Sequence, residues 1–395
     1  MTEQGTGKFR RRFLKDIWIA SLGAYGGPES HLSVLMQQLV VKRRYFTETD
    51  LIEMAALANL LPGPTSTQIV ISAGHKAGGP RLAFYAMLIW ILPSILLLAA
   101  LSFGVDALTG TGAGAGLFRF ILPLSVGFIF LAALRIGRSA VADWFTAFLF
   151  LAGGVATYFI REPWIYPAVL LGGGFLAAIF YKEAGAWHRI EIRPPYRFLA
   201  AFLALAAVAA AIPLLTQDRV LNLFSDFFQY GYLVFGGGQI VVPMMYTQLV
   251  DTDQVMTAGE FLTGYGLVQG LPGPMFSFCA YAGGLAARDS GMLTQFAGAL
   301  AAGIAVFLPG ILLVYFAYPV WASLKSVRGI RIALRGVNSV AGGMIGAVGL
   351  LLLAKSGYTP ENLVAAAATM GLLATGKIPP PLIVILALAA GLLLP

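Results

Sequence analysis

The four residues Leu61-Pro62-Gly63-Pro64 return as Leu271-Pro272-Gly273-Pro274, 210 positions further on (271 − 61), each time inside a long apolar region. The same displacement carries Gly26-Gly27 onto Gly236-Gly237, Gln38-Leu39-Val40 onto Gln248-Leu249-Val250, Thr47 onto Thr257, Leu57 onto Leu267 and Gly74 onto Gly284. Proline lacks a backbone donor and breaks a helix, while glycine admits dihedrals closed to other residues. One such break is an ordinary kink. Two in register describe a duplicated chain whose elements are interrupted at corresponding places, the sequence signature of discontinuous helices in the two halves of a membrane protein.

Composition supplies the solvent. Hydrophobic residues make up 58% of the 395 and charged residues 11%, and the mean hydropathy of +0.80 belongs to an integral membrane protein. The apolar runs are too long for barrel strands, which alternate over about ten residues, so the fold is read as all-α. The net charge of +8 comes from short Lys/Arg clusters between apolar runs, as in positive-inside loops, and no soluble basic domain exists to bind nucleic acid. Cys279 is the single cysteine, and His31, His75 and His188 show no ligand spacing. Neither a metal nor a cofactor is implied. HExxH and GxSxG are both missing, which argues against an intramembrane enzyme. The basic start, Lys8 to Lys15, has no small-residue cleavage site after it, and no removable signal peptide is expected.

Residues 17 to 41 are cut by Gly26-Gly27-Pro28 beside Glu29 and His31, and Lys42-Arg43-Arg44 follows. A half-helix up to Asn59 meets the first LPGP, and Thr65 opens another half-helix reaching about Gly74. Ordinary spans are expected at 82–104, 117–138, 141–160, 163–181 and 198–216, then at 293–320, 331–353, 359–376 and 378–394, each near the twenty residues that about 30 Å of hydrocarbon demands. Leu92-Pro93 reappears as Leu308-Pro309, so the second copy has gained six residues by then. The division is a first repeat at 1–181, a cytoplasmic loop and linking helix at 182–218, and a second repeat at 219–395. Basic Lys42-Arg43-Arg44 matches acidic Thr252-Asp253-Gln254, whereas the loop 105–116 lacks Lys and Arg and its counterpart 321–335 holds Lys325, Arg328, Arg331 and Arg335. Because Lys and Arg collect on the cytoplasmic side, the repeats read as inverted, with nine full crossings, the amino end inside and the carboxyl end outside. Parallel repeats are the alternative.

The GGP followed by a basic stretch, the LPGP with Gln68 four residues on, and their recurrence in the second half resemble the chromate ion transporter family, over essentially the whole chain. The resemblance implies a multi-pass protein of the cytoplasmic (inner) membrane that exports chromate, with sulfate as a related anion and the proton gradient as the energy source. The second copy departs from the first where Pro28 becomes Gly238, Glu29 becomes Gln239 and His31 becomes Val241. Equivalent chemistry in the two halves is therefore not implied.

A tetrahedral dianion in a bilayer needs charge compensation, and a half-helix N-terminus offers about +0.5 elementary charge with unpaired N–H groups. Four such termini follow Gly26-Gly27-Pro28, Pro62-Gly63-Pro64, Gly237-Gly238-Gln239 and Pro272-Gly273-Pro274. Thr65, Ser66, Thr67 and Gln68 are candidate neutral donors, with Gln269 and Ser277, and the alternative is that they only cap their helices. Arg135 is the arginine retained as a candidate oxyanion ligand, since guanidinium matches oxyanions bidentately. Glu29 and His31 are the candidate proton-coupling pair. A passive anion channel and a transporter of another oxyanion are the competing readings, and pairing into a homodimer is left open.

Overall fold

The computed structural model describes residues 7–108, 112–160, 165–181, 194–233, 241–324 and 327–393, all in helices and turns with no strand among them. In chain order the helices are α1 (Gly7–Gly23), α2 (Pro28–Leu35), α3 (Glu48–Leu60), α4 (Thr65–Leu108), α5 (Gly112–Phe118), α6 (Ile121–Ala140), α7 (Trp144–Phe159), α8 (Ile165–Phe180), α9 (Tyr196–Leu215) and α10 (Arg219–Leu233). They continue as α11 (Val241–Tyr246), α12 (Ala258–Gly270), α13 (Phe278–Ala286), α14 (Met292–Ala305), α15 (Leu308–Ala317), α16 (Trp321–Leu324), α17 (Arg328–Ser356), α18 (Pro360–Ala374) and α19 (Pro380–Leu393). The turns Met36–Lys42 and Thr247–Thr252 are π-helical.

Among the described residues, five stretches are long and apolar enough to cross a bilayer: Thr65–Leu108, Gly116–Ala140, Tyr196–Leu215, Met292–Val320 and Arg328–Ser356. The expected spans at 141–160, 163–181, 359–376 and 378–394 are helices of 16, 16, 15 and 14 residues, or about 21–24 Å at 1.5 Å per residue. Large apolar side chains stand exposed on many of these elements, Leu214 at 85% and Leu293 at 82% among them, which only a lipid solvent rewards. This is an all-α, multi-pass membrane protein.

Breaks and caps set the element ends. Thr47 and Asp50 form a reciprocal capping box that starts α3, and Thr257 with Glu260 does the same for α12, where Thr257 N donates to Glu260 Oε2 and Glu260 N to Thr257 Oγ1; each box satisfies two otherwise orphan donors. Non-helical dihedrals at Gly78 and Gly79 divide α4, so the half-helix that opens at Thr65 runs to Ala77, past the expected Gly74. Arg328, Arg331 and Arg335 lie inside α17 and not in a loop, because the apolar periodicity of that helix continues through them.

The local backbone repeats at the displacement found in the sequence. Helices α3 and α12 have matching ends, and the π-turns end at Lys42 and Thr252. Arg44 and Gln254, with φ of 53° and 52°, are the non-glycine residues in the left-handed region among the described residues. Tyr45 N donates to Leu39 O at 2.8 Å, as Val255 N does to Leu249 O at 2.9 Å.

Compactness cuts across this repeat. One unit gathers Met1–Ala107, Arg193–Tyr232 and Val268–Trp321, and the other Leu108–Ile192, Leu233–Leu267 and Ala322–Pro395, so each draws on both copies. The first unit buries Phe13 and Ile17 of α1, Trp90 and Leu98 of α4, Phe227 and Phe228 of α10, and Tyr281 of α13. In the second, α17 packs on α6, α7 and α8 through glycines: a Cβ at Gly343 would lie 1.8 Å from Phe150 O, and one at Gly336 would lie 2.2 Å from Gly173 O. Small residues let membrane helices approach this closely where no hydrophobic effect drives them together.

Candidate anion-binding site

The first LPGP turn reverses the chain between α3 and α4. Leu61 leaves α3 in an extended conformation, and Gly63 takes φ of +128°, in the left-handed range glycine tolerates. Gln68 Nε2 reaches back to Pro62 O at 2.7 Å. A Cβ at Gly63 would meet that Nε2 at 2.6 Å and Gly310 Cα at 3.4 Å. Thr65, Ser66, Thr67 and Gln68 are all buried, yet Thr65 Oγ1, Thr67 Oγ1, Gln68 Oε1 and Ser72 Oγ have no hydrogen-bond partner. The two threonines therefore do not cap α4. Buried polar atoms left unpaired cost roughly 1–3 kcal/mol each, and here they sit on a helix whose first N–H groups also lack intrahelical acceptors.

The second turn repeats the positive-φ glycine in different surroundings, and a 3-10 turn at Met275–Ser277 precedes α13. Gly273, at φ +111°, donates its N–H to Ala24 O at 2.8 Å, and a Cβ there would fall 2.4 Å from Ser94 Cβ. Ser94 Oγ and Ser277 Oγ share a hydrogen bond of 2.6 Å. Gln269 Nε2 is directed to Met275 Sδ at 3.4 Å. The contacts are reciprocal: Gly63 of the first copy touches Gly310 of the second, and Gly273 of the second touches Ser94 of the first. Ser94 and Gly310 each follow the recurring Leu-Pro pair.

The first break lies in the same unit. Gly26 has φ +74°, Gly27 is the extended N-cap of α2, and Pro28 occupies its first turn, where its missing N–H costs nothing. His31 is 1% exposed, neither ring nitrogen has a partner, and the ring stands edge-on to Trp90 at 5.9 Å. Trp90 Nε1 is buried and unpartnered as well. Ser94 lies one helical turn beyond Trp90, so α4 links the first break to the second LPGP turn. The Glu29 side chain and residues Gly237, Gly238 and Gln239 lie outside the described residues. Arg135 belongs to the other unit, where it is exposed and its Nη2 donates to Leu373 O at 3.4 Å.

Sequence reasoning missed Asp16. Its fully buried carboxylate accepts from Gln38 Nε2 at 3.0 Å, Arg43 Nε at 2.9 Å and Tyr45 Oη at 2.6 Å, binding α1 to the π-turn and the basic loop. Burial first, and then the hydrogen bond to Asp16, push the Tyr45 hydroxyl up to about 12. The signal was available: Asp226 stands at the matching position of the second copy, as Gln248 matches Gln38. Trp90, Ser94 and Gly310 were also missed. No cluster of His, Cys, Asp or Glu fit to hold a metal occurs among the described residues.

Helices of bilayer length, exposed apolar faces, and broken helices at matching places in two copies, the first with unpaired buried hydroxyls, define a membrane transport protein. The chain belongs to the chromate transporter family: the family model "Chromate transporter" matches it twice, at residues 12–179 and 221–392. The probable chromate transport protein of Synechococcus elongatus is 27% identical over 96% of this chain and 93% of its own length. The chromate transport protein of Pseudomonas aeruginosa is 27% identical over 92% of this chain and 84% of its own. An uncharacterised transporter of Bacillus subtilis is 30% identical over 42% of this chain and 81% of its own length, a match about the length of one copy. No solved structure gives a significant match.

Proposed function

We propose that this protein exports chromate across the cytoplasmic membrane as a secondary transporter, with sulfate as a related substrate and the proton gradient as the driving force. The observation that carries the reading is the set of buried, unpartnered hydroxyls at Thr65, Thr67 and Ser72, placed where a half-helix N-terminus favours negative charge. An oxyanion supplies acceptors for the hydroxyls and for the free N–H groups together. The three described termini, after Pro28, Pro64 and Pro274, contribute about +0.5 each, so the site compensates most of a dianion's charge without a buried lysine. Chromate as the substrate rests on the family and on the names of its relatives. Gly26, Gly27, Pro28, Pro62, Gly63, Pro64, Thr65, Ser66, Gln68, Pro272, Gly273 and Pro274 form the substrate site in this reading. Glu29 and His31 couple the proton.

The repeats at 1–181 and 219–395, joined through 182–218, are inverted in this scheme. The reciprocal contacts of Gly63 with Gly310 and Gly273 with Ser94 support a two-fold relation, since a two-fold axis makes each contact occur twice with partners exchanged. Loop charge supports placing that axis in the membrane plane. Cysteines introduced at Lys42 and Thr252 then label from opposite sides of the membrane, and labelling of both from the cytoplasm removes the inversion.

The functional test is uptake of radiolabelled chromate into inverted vesicles, with and without an imposed pH difference and with excess sulfate. Gradient-driven uptake that sulfate reduces is the expected result. Flux indifferent to the gradient converts the reading to a passive channel, and no chromate flux overturns it. Glu29→Gln is expected to keep chromate flux and lose its dependence on the gradient.

A further inference from the structure

On the half-helix that follows the first LPGP turn, Thr65, Gln68, Ser72 and His75 are spaced i, i+3, i+7 and i+10, which places them on one helical face. The first three are buried and carry polar atoms without partners. His75 and its neighbour Lys76 end the stripe about 15 Å from Thr65, at 1.5 Å per residue. Its two ends identify what it faces. Gln68 Cγ lies 3.6 Å from a Cβ placed at Gly310, while the half-buried His75 ring is 5.9 Å from Tyr315 and 5.1 Å from Tyr318. The stripe therefore lies along α15 and the turn after it, which present Gly310 and aromatic rings but no partner for the serine and threonine hydroxyls.

This seam is out of keeping with a static core. Buried polar groups in native proteins find partners, and those that do not mark an absent ligand or water. The second copy supplies the control, because the positions matching Thr65, Gln68, Ser72, His75 and Lys76 are Met275, Phe278, Ala282, Leu285 and Ala286. The matching segment, a 3-10 turn at Met275–Ser277 followed by α13, buries apolar side chains at all five positions, so a half-helix in that place does not require polar ones. Lys76 Nζ pairs with Asp50 Oδ1 at 2.5 Å and stays 40% exposed. Asp50 opens α3, just after Lys42-Arg43-Arg44, so the stripe ends on the side of that basic loop.

We propose that the seam between residues 65–77 and α15 is the cytoplasmic half of the anion's path, with His75 and Lys76 as its mouth and Tyr315 and Tyr318 as the aromatic side that moves away to open it. The proposal builds on the oxyanion reading of the LPGP turn and adds a route and an entry site to it. An arriving oxyanion meets Lys76 first and displaces Asp50 from it. The hydroxyls of Ser72 and Thr65 then take over from water as donors, each within one or two helical turns of the next. In the second copy no comparable ladder exists, and the opposite half of the path must be built from other residues.

The test is accessibility of a cysteine at Ser72, with Ala282→Cys as the matched control and the buried Cys279 left in place. Inverted vesicles expose the cytoplasmic face to a membrane-impermeant methanethiosulfonate. Cys at 72 is expected to react, and Cys at 282 is not. Chromate uptake by the labelled Ser72→Cys protein is expected to fall about tenfold or more, the factor carried by loss of one hydrogen bond to a charged group. If Ser72→Cys does not insert, Lys76→Gln decides, since its side chain is exposed: KM for chromate rises and loses its salt dependence while kcat is kept. An unreactive cysteine at 72, or an unchanged KM in Lys76→Gln, overturns the proposal. Absence of chromate flux in the wild type would instead sink the substrate reading, and labelling at 72 would still report on the path.

Discussion

Gly63 and Gly273 hold φ at +128° and +111°, each between a 13-residue helix and a short helix on its far side. Beyond those glycines the chains part company. The first copy continues Thr65-Ser66-Thr67-Gln68 and the second Met275-Phe276-Ser277-Phe278, and the buried hydroxyls of the one face lipid-like packing in the other. The same holds at the first break, where His31 and Trp90 of copy one stand where copy two has Val241 and Val306. The positive-φ glycine recurs in both copies, while among the described residues the unpartnered buried hydroxyls follow the first LPGP turn and not the second.

The sharpest way to break this comparison is to add one methyl group at each turn. At Gly273 it would fall 2.4 Å from Ser94 Cβ, which is fixed to helix α4, whereas at Gly63 it meets the amide end of Gln68 at 2.6 Å, which can swing away. Both substitutions carry the left-handed penalty of about 1–2 kcal/mol. Gly273→Ala is expected to abolish the folded, monodisperse protein, as judged by size-exclusion chromatography. Gly63→Ala remains folded and loses chromate flux, because it displaces Gln68 from Pro62 O. Equal behaviour of the two would show that the turns are not differently supported.

Exchanging residues between copies comes next. Gln68→Phe places the second copy's residue in the first and is expected to raise KM for chromate or remove flux by about tenfold to a hundredfold, the effect of 1–3 kcal/mol of lost hydrogen bonding. Phe278→Gln introduces an amide into packing that has no partner for it, and shortens the protein's half-life at elevated temperature without changing KM. If Phe278→Gln alters KM as strongly as Gln68→Phe, the donors are not confined to the first copy.

How much of this was legible in the sequence follows from the range of the interactions. The broken elements, the long spans and the register of the repeat rest on Gly, Pro and apolar periodicity, which act locally. They could be read directly. The interleaving of the two copies in each compact unit could not, since nothing local in α10 or α12 states which helix it will pack on. Asp16 carries no local signal of its role, because only the fold brings Gln38, Arg43 and Tyr45 around it. Trp90 was hidden in an apolar run where an aromatic is expected. Of the candidate site, Gln68 and the LPGP turns were legible because their roles begin with backbone geometry.

Asp16 offers a smaller contrast. In the first copy Gln38 donates to Asp16, and in the second Gln248 Nε2 donates to Asp253 at 2.9 and 2.8 Å, where Arg43 has become an acid. Asp16→Asn removes the charge that Arg43 and Tyr45 address. Arg43 is 41% exposed and can return to water, so the cost is expected near 1–3 kcal/mol, below the 3–5 kcal/mol of a stranded buried charge. Asp226→Asn is expected to cost less, because Asp226 is only partly buried. Thermal half-lives of the two variants under one set of conditions make the comparison, and a larger loss for Asp226→Asn would reverse the assignment of the clamp to the first copy.

The smallest effect tests what the copies still share. Arg44 and Gln254, at φ of 53° and 52°, both follow a π-turn and both precede the donors of the matching hydrogen bonds to Leu39 O and Leu249 O. Both side chains are exposed, so their cost is that of holding a side-chain-bearing residue in the left-handed region, about 1–2 kcal/mol. Glycine removes that strain but enlarges the conformational freedom of the unfolded chain, which returns roughly 0.5–1 kcal/mol of the gain. Arg44→Gly and Gln254→Gly are therefore each expected to stabilise by about 1 kcal/mol or less, and by the same amount within a few tenths. Because membrane proteins often unfold irreversibly, the comparison belongs to inactivation half-lives at one temperature and detergent concentration. Equal lengthening would mean that the turn is conserved as backbone alone. A loss of stability in Arg44→Gly only would mean that the basic side chain of the first copy contributes contacts there, and the divergence between the copies would then begin before the LPGP turn.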